Sequence, residues 1–139
     1  GGIMDGRGIA AALALGADAA QMGTAFLTTD ESGISDAYKA VLPATRSEQS
    51  RVTRAFSGRP ARGISNAFMR DADAIGADIL PYPLQNALTR PMRTAGGKAG
   101  NINVLSLWAG QAAPLARRES TADLVQRLVR ETQAAQSRR

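Results

Sequence analysis

The chain has 139 residues, 44% of them hydrophobic, and a net charge of +5, which allows one modest core and differs from the composition of disordered or collagenous chains. It contains no cysteine and no histidine, which excludes disulfides, thiolate nucleophiles, sulfur-ligated metal sites and the commonest base near neutral pH. The charge permits binding to phosphates or nucleic acid without requiring it, because the arginines are scattered and aromatic residues are few.

The longest apolar stretch, residues 9–27, is interrupted by Gly16, Asp18, Gln21 and Gly23, so it is a poor membrane span. No basic region followed by an apolar region marks a signal peptide. The sequence therefore predicts a soluble, cytoplasmic protein without a membrane partner.

The first predicted element is a helix that begins after Asp5, a suitable N-cap, and ends at Gly16. Ile9 and Leu13 lie at helical spacing on its apolar face. Residues 19–24, AAQMGT, are uncharged and bounded by turn residues, which predicts a buried strand. A helix followed at once by a buried strand indicates α/β architecture with parallel strands.

Helical spacing predicts two helices in the middle of the chain, the first capped by residues 28–30 or 32–33 and ending near Pro43. Between them, residues 51–58 alternate in character, which predicts a weak strand or an irregular arm. The apolar faces of the two helices are formed by Ile34, Tyr38 and Val41 and by Ile64, Phe68, Ala72 and Ile75.

Prolines and glycines interrupt residues 78–101, which predicts short helices joined by tight loops. A last helix is predicted from Ser120, which forms an approximate capping box with Asp123. Its predicted buried stripe consists of Leu124, Val125, Leu128 and Val129.

Three glycine-rich stretches are candidates for a phosphate site. Residues 6–11 match a dinucleotide-binding fingerprint, but no strand fits before them, and residues 96–99 lack the Ser or Thr of a Walker loop. The third candidate pairs Gly1–Gly2 with Gly23–Thr24, which end two predicted strands one βα repeat apart. In a (β/α)8 barrel a phosphate binds between the loops after the last two strands, where glycine exposes main-chain amides. Spacing alone leaves simple tight turns as an equal alternative.

The stretch GGIMDGRGIAAALALGADAAQMGTAFLTTDES, with the Tyr-Lys pair that follows, resembles the closing repeats of the FMN-dependent nitronate monooxygenase family. FSGRPARGISN and YPLQNALTRPMRTAGGKAGNINVLSLWAGQ extend the resemblance to about Arg118. The first blocks are shared with FMN-dependent enoyl-ACP reductases, which are the alternative enzyme class, whereas the later two favour the nitronate enzymes. A basic module that binds nucleic acid is the alternative from another class, disfavoured by the scattered arginines.

The resemblance implies that residues 1–43 are the last repeats of a TIM barrel, and that a mostly helical region, residues 44–139, packs on that barrel. It implies non-covalent FMN and no metal. The implied cofactor-binding residues are Gly2, Gln21, Met22, Gly23 and Thr24.

The resemblance also implies oxidation of alkyl nitronates with O2 to carbonyl compounds and nitrite. Family members use a histidine base, and because this chain has none, no catalytic residue is assigned within it. We expect the base to lie outside this chain, which would be the C-terminal piece of a longer protein and inactive alone. Tyr82 and Trp108 are weaker candidates for the substrate pocket, and core packing is the favoured interpretation for both.

Overall fold

The computed structural model describes residues 1–76 and 78–137, which form helices and two short strands. Short 3-10 turns cover Ser47–Gln49, Ile102–Val104 and Ala113–Leu115. The helices and strands are, in chain order, α1 (Gly6–Ala14), α2 (Thr24–Leu27), α3 (Asp36–Ala44), β1 (Ser50–Thr53), β2 (Ala61–Ile64), α4 (Ala67–Ala74), α5 (Leu84–Lys98) and α6 (Thr121–Gln136).

The two strands pair in antiparallel fashion, with Ser50 opposite Ile64 and Thr53 opposite Ala61. Gly63 of β2 also forms an isolated antiparallel bridge with Trp108. The mixture of helix and strand agrees with the predicted class. The parallel pair predicted near the N-terminus is absent from the residues that the structure describes.

The strand predicted over residues 19–24 is wrong. These residues form no strand, Gln21 and Gly23 are exposed, and Thr24 already begins α2. An extended segment becomes part of a sheet only when a neighbour takes its main-chain hydrogen bonds. Within the described ranges, the only sheet is the β1–β2 pair, so this segment has no such neighbour.

Helix α1 begins as the sequence predicts. The Asp5 side chain accepts hydrogen bonds from the main-chain N–H groups of Arg7 and Gly8, and Gly16 follows the helix with a φ of +94°. A hydrogen bond from the Arg7 guanidinium is the largest influence on the Asp5 carboxyl and holds its pKa below its usual value, although burial opposes it. The predicted start and end of this helix are therefore confirmed.

Helix α3 begins later than either of its predicted caps. Its N-cap is Ser35, whose hydroxyl oxygen accepts the N–H of Tyr38. The predicted caps at residues 28–30 and 32–33 are wrong, because residues 28–30 are used instead as acceptors and donors for other segments. Pro43 lies within the last turn of the helix, one residue before its end.

The second predicted middle helix is shorter than its apolar spacing indicated. α4 begins after Asn66, whose side-chain oxygen accepts the N–H of Met69. Ile64 belongs to β2, and Ile75 lies beyond the helix and is exposed. Ile64 lies before the cap at Asn66 and therefore belongs to the strand, although its distance from Phe68 along the sequence is a helical spacing.

The short helices predicted for residues 78–101 are wrong over most of that range, because α5 is continuous through Pro91 and through the glycine pair at 96–97. Proline removes a single N–H donor and disfavours the interior of a helix, but here it does not end the helix. Gly96 is buried, and a side chain there would overlap Val104. This glycine serves close packing and does not form a turn.

Helix α6 has the predicted cap, since the Ser120 hydroxyl oxygen accepts the N–H of Asp123. Leu124 and Leu128 are buried as predicted, but Val125 and Val129 are about half exposed and do not belong to the buried stripe. Consecutive residues point about 100° apart around a helix. Leu124 and Leu128 lie on the side of α6 that faces the core, and the valines lie on the neighbouring side.

The buried core joins residues from both sides of the predicted boundary at 43–44, which stays a prediction. No helix in the described part of the chain is long and apolar enough to cross a membrane. The core is formed by Met4, Ala25, Leu42, Ile64, Leu107, Ala109, Ala113, Ala116, Leu124 and Leu128.

Candidate functional site

A cavity of about 630 Å³ brings together the two stretches of the third glycine-rich candidate. We call Gly1–Gly2 arm 1, Gly23–Thr24 arm 2 and residues 108–111 arm 3; Leu27 and Arg62 complete the lining. The strand predicted over residues 19–24 is not formed, yet the residues expected at the two strand ends lie at the same cavity.

Arm 1 presents open main chain to the cavity. Gly2 has a φ of +80°, which favours glycine, and a β-carbon at this position would have no neighbour within 4 Å. Among the described residues, none accepts a hydrogen bond from the Gly2 N–H. Met4, 3% exposed, anchors the arm in the core two residues later. Arm 1 can therefore offer a main-chain donor to a ligand.

Arms 2 and 3 are joined by a hydrogen bond from the Gly110 N–H to the Thr24 hydroxyl oxygen, at 3.0 Å. Because this oxygen acts as the acceptor, its hydrogen is left to donate elsewhere. A β-carbon built at Gly110 would lie 3.5 Å from the Gly2 nitrogen and 3.7 Å from the Thr24 hydroxyl oxygen. Arm 3 therefore stands against both other arms and fixes their separation.

Three contacts hold arm 3. The Tyr38 hydroxyl donates to the carbonyl oxygen of Trp108 at 2.6 Å, and the Ala109 N–H donates to the carbonyl oxygen of Arg62 at 3.1 Å. The Trp108 ring packs edge-on against Phe56, with ring centroids 5.7 Å apart. Burial raises the pKa of the Tyr38 phenol, so this group stays protonated and keeps its role as donor.

Arg62 is the one charged side chain among the described residues that line the cavity. One guanidinium nitrogen donates to the carbonyl oxygen and hydroxyl of Ser50, at 3.0 and 3.2 Å. Main-chain donors, a hydroxyl and a guanidinium without a carboxylate in the lining suit an anionic ligand. Arg62 and residues 109–111 of arm 3 were missed as site residues, although they lie inside stretches that carry the family resemblance; Trp108 was named only as a weaker candidate for the substrate pocket.

The remaining predicted site residues lie outside this lining or only partly within it. Gln21 is exposed, and Met22 packs against the core. Trp108 lines the cavity and also packs against Phe56. Tyr82 is not in the lining, is 49% exposed, and has the Arg59 guanidinium 4.6 Å from its ring centre.

Tyr38 and Lys39 of α3 support the site through hydrogen bonds without lining its cavity. The Lys39 ammonium, only 6% exposed as a residue, donates to the carbonyl oxygens of Thr29 and Asp30 at 2.6 and 3.2 Å. These contacts tie α3 to the segment after arm 2. Helix α2 is a single turn, so its dipole adds little to the binding of an anion at Thr24.

Within residues 1–76 and 78–137, no group of three or more carboxylates or other metal-ligating side chains lies together. The dinucleotide-type stretch at residues 6–11 lies inside α1, and the N–H of Gly6 is bound by the carboxylate of Glu131. A carboxylate in that position is incompatible with a phosphate at the same N–H group.

Comparison with known proteins gives a match to a protein-family model described as nitronate monooxygenase over residues 1–131. A nitronate monooxygenase of Pseudomonas aeruginosa is 47% identical over 132 residues, which are 94% of this chain and 38% of that protein. A probable nitronate monooxygenase of Staphylococcus saprophyticus is 41% identical over 138 residues, 99% of this chain and 39% of that protein. The chain thus spans about two fifths of the length of these relatives.

Two solved structures are similar to nearly the whole chain. A nitroalkane oxidase from Streptomyces ansochromogenes has a TM-score of 0.91 and 46% identity, covering 99% of this chain and 39% of that one. FabK from Thermotoga maritima has a TM-score of 0.82 and 30% identity, covering 99% of this chain and 44% of that one.

Proposed function

The chain belongs to the nitronate monooxygenase family, and from this premise we propose that it holds the phosphate of FMN in a flavin-dependent oxidoreductase. The observation that carries the proposal is the meeting of Gly2, Gly23 and Thr24 at one cavity without a carboxylate in its lining. In this proposal residues 1–43 are the closing repeats of a (β/α)8 barrel, and residues 44–139 pack on it.

The chemistry of the cavity fits a phosphate dianion. The N–H groups of Gly2 and Gly23 have no acceptor among the described residues, and the Thr24 hydroxyl has a hydrogen to donate. Arg62 adds a positive charge at the same cavity, and such charge-assisted hydrogen bonds are stronger than neutral ones. Gln21 and Met22 stay predicted contacts of the cofactor from the segment leading into arm 2.

When bound, FMN would supply the redox chemistry, taking electrons from an alkyl nitronate and passing them to O2, with a carbonyl compound and nitrite as products. This chain's contribution is anchorage of the phosphate, which orients the flavin ring. The chain has no histidine, so it does not provide the base that the resemblance implies, and we infer that it is inactive alone. An enoyl reductase is the alternative. It ranks second because the proteins named for nitronate or nitroalkane oxidation are 46–47% identical to this chain, which favours the first candidate.

The test is a comparison of FMN with riboflavin, which lacks the phosphate, by fluorescence titration of the 139-residue chain. We expect FMN to bind at least about tenfold more tightly than riboflavin, which corresponds to 1.4 kcal/mol. Thr24→Val removes both the hydroxyl donor and the acceptor of the Gly110 N–H. We expect it to weaken the binding of FMN about fivefold to tenfold and to leave the affinity for riboflavin unchanged.

Thr24→Ser is the matched control, because it keeps the hydroxyl and should retain the preference for FMN. Equal affinity of the wild-type chain for FMN and riboflavin would contradict the proposed phosphate site. If Thr24→Val keeps the preference for FMN, Thr24 does not contribute to phosphate binding.

A further inference from the structure

Helix α6 reaches the beginning of α1 through Glu131. One carboxylate oxygen of Glu131 accepts the N–H of Gly6, the first residue of α1, at 3.0 Å. The helices approach so closely here that a side chain on Gly6 would overlap Glu131 and the main chain of Thr132. The carboxylate therefore serves an N–H group that no earlier turn of α1 can satisfy.

Glu131 is itself held in place and charged. Arg127, whose side chain is 11% exposed, lies 3.3 Å from both carboxylate oxygens of Glu131 and also binds Glu119 at 2.5 Å. Burial opposes ionisation of Glu131, but the Gly6 N–H and the Arg127 guanidinium outweigh it and lower the pKa of this carboxyl. A negative charge at the start of α1 is also favoured by the helix dipole.

The segment between Gly6 and arm 1 leaves little freedom for Gly2. Met4 is 3% exposed, and the side chain of Ile3 lies against Gly8, 3.1 Å from the position of a β-carbon there. Gly2 itself forms no hydrogen bond through its N–H with the described residues. The position of that donor therefore depends on where the start of α1 is held.

We propose that Glu131 is a positioning residue for the anion site: by fixing Gly6 it fixes arm 1, and it thereby sets the affinity for the anionic end of the ligand. This inference rests on the proposed function. Leu124 and Leu128 keep α6 in the core without help from Glu131, so the role is separable from the packing of the helix.

The experiment uses the 139-residue chain, with FMN and riboflavin as probes and the ratio of their dissociation constants as the readout. Glu131→Ala should weaken the binding of FMN about fivefold to tenfold and leave the affinity for riboflavin unchanged. Glu131→Gln keeps an oxygen that can accept the Gly6 N–H but loses the charge, so we expect a loss of about twofold to threefold. A loss of general folding would lower the affinity for both flavins equally.

Glu119→Gln is the matched control. Glu119 shares Arg127 with Glu131 but, in the described part of the chain, its carboxylate accepts no hydrogen bond from α1, so the ratio should equal that of the wild type. Circular dichroism shows whether each variant is folded. If Glu131→Ala is unfolded, the ratio of dissociation constants measured with Glu131→Gln tests the inference in its place. A folded variant at Glu131 with the wild-type ratio overturns the inference alone. A wild-type chain that does not prefer FMN overturns the proposed phosphate site, and this inference with it.

Discussion

Arms 1 and 2 face the same cavity but are held by different kinds of contact. Arm 1 is connected to α6 by a charged carboxylate, since Glu131 binds Gly6 and is paired with Arg127. Arm 2 itself is held by a neutral contact, the hydrogen bond from the Gly110 N–H to the Thr24 hydroxyl oxygen.

The difference shows that the two arms depend on different parts of the chain. The contact between Gly6 and Glu131 spans 125 positions of sequence, and that between Thr24 and Gly110 spans 86. Arm 1 therefore requires α6, whereas arm 2 requires arm 3. A perturbation of α6 should disturb the first arm before the second, and loss of the Glu131 charge should affect only the first.

The largest expected effect comes from loosening α6 itself. Leu124→Ala removes a fully buried side chain from the core, and we expect a loss of about 2–5 kcal/mol in the free energy of unfolding. Val125→Ala is the control, because Val125 is 46% exposed and should change stability by no more than about 0.5 kcal/mol. Urea unfolding followed by circular dichroism measures both, and equal losses would contradict the assigned orientation of α6.

A smaller effect is expected where α6 contacts the start of α1. Gly6→Ala places a methyl group against the main chain of α6, which cannot move aside as a side chain can. It should lower the free energy of unfolding by about 1–3 kcal/mol. Gly97→Ala is the matched control inside α5, because its β-carbon would meet only Leu105, at 3.9 Å, and should stabilise the helix by about 0.5–1 kcal/mol. The same denaturation series measures both, and stabilisation by Gly6→Ala would refute the close approach of the helices.

Local signals were sufficient for the caps of α1 and α6, though not for that of α3. Asp5 and Ser120 each cap the helix that the sequence places after them, because a cap is decided by groups two or three residues away. The meeting of Gly2 with Gly23 and Thr24 was also predicted, through the expected barrel and the family resemblance, although the strands themselves are absent from the described residues.

Features that depend on distant partners were beyond the sequence. The segment at 19–24 has the composition of a buried strand, but only a neighbouring strand could make it one. The exposure of Val125 and Val129 depends on which side of α6 meets α1, and spacing alone does not distinguish adjacent apolar faces. Arg62 reaches the cavity only because β2 pairs with arm 3, so its spacing in the sequence did not indicate a site.

The smallest expected effect is a difference in the pH dependence of stability between variants at the charged support of arm 1, Glu131, and at the neutral contact of arm 2, Thr24. Because folding lowers the pKa of Glu131 below its ordinary value of 4.5, its stabilising contribution is present above that value and is lost as the pH falls through the folded-state pKa. Glu131→Gln should therefore be less stable than the wild type by on the order of 1 kcal/mol near neutral pH, and the difference should shrink in acid as the pH falls below 4.5 and through the folded-state pKa. The deficit of Thr24→Val, which removes a neutral contact, should be the same at neutral and at acid pH. Thermal unfolding of the three proteins in parallel measures these differences. A Thr24→Val deficit that fades in acid as the Glu131→Gln deficit does would mean that the two arms share one support.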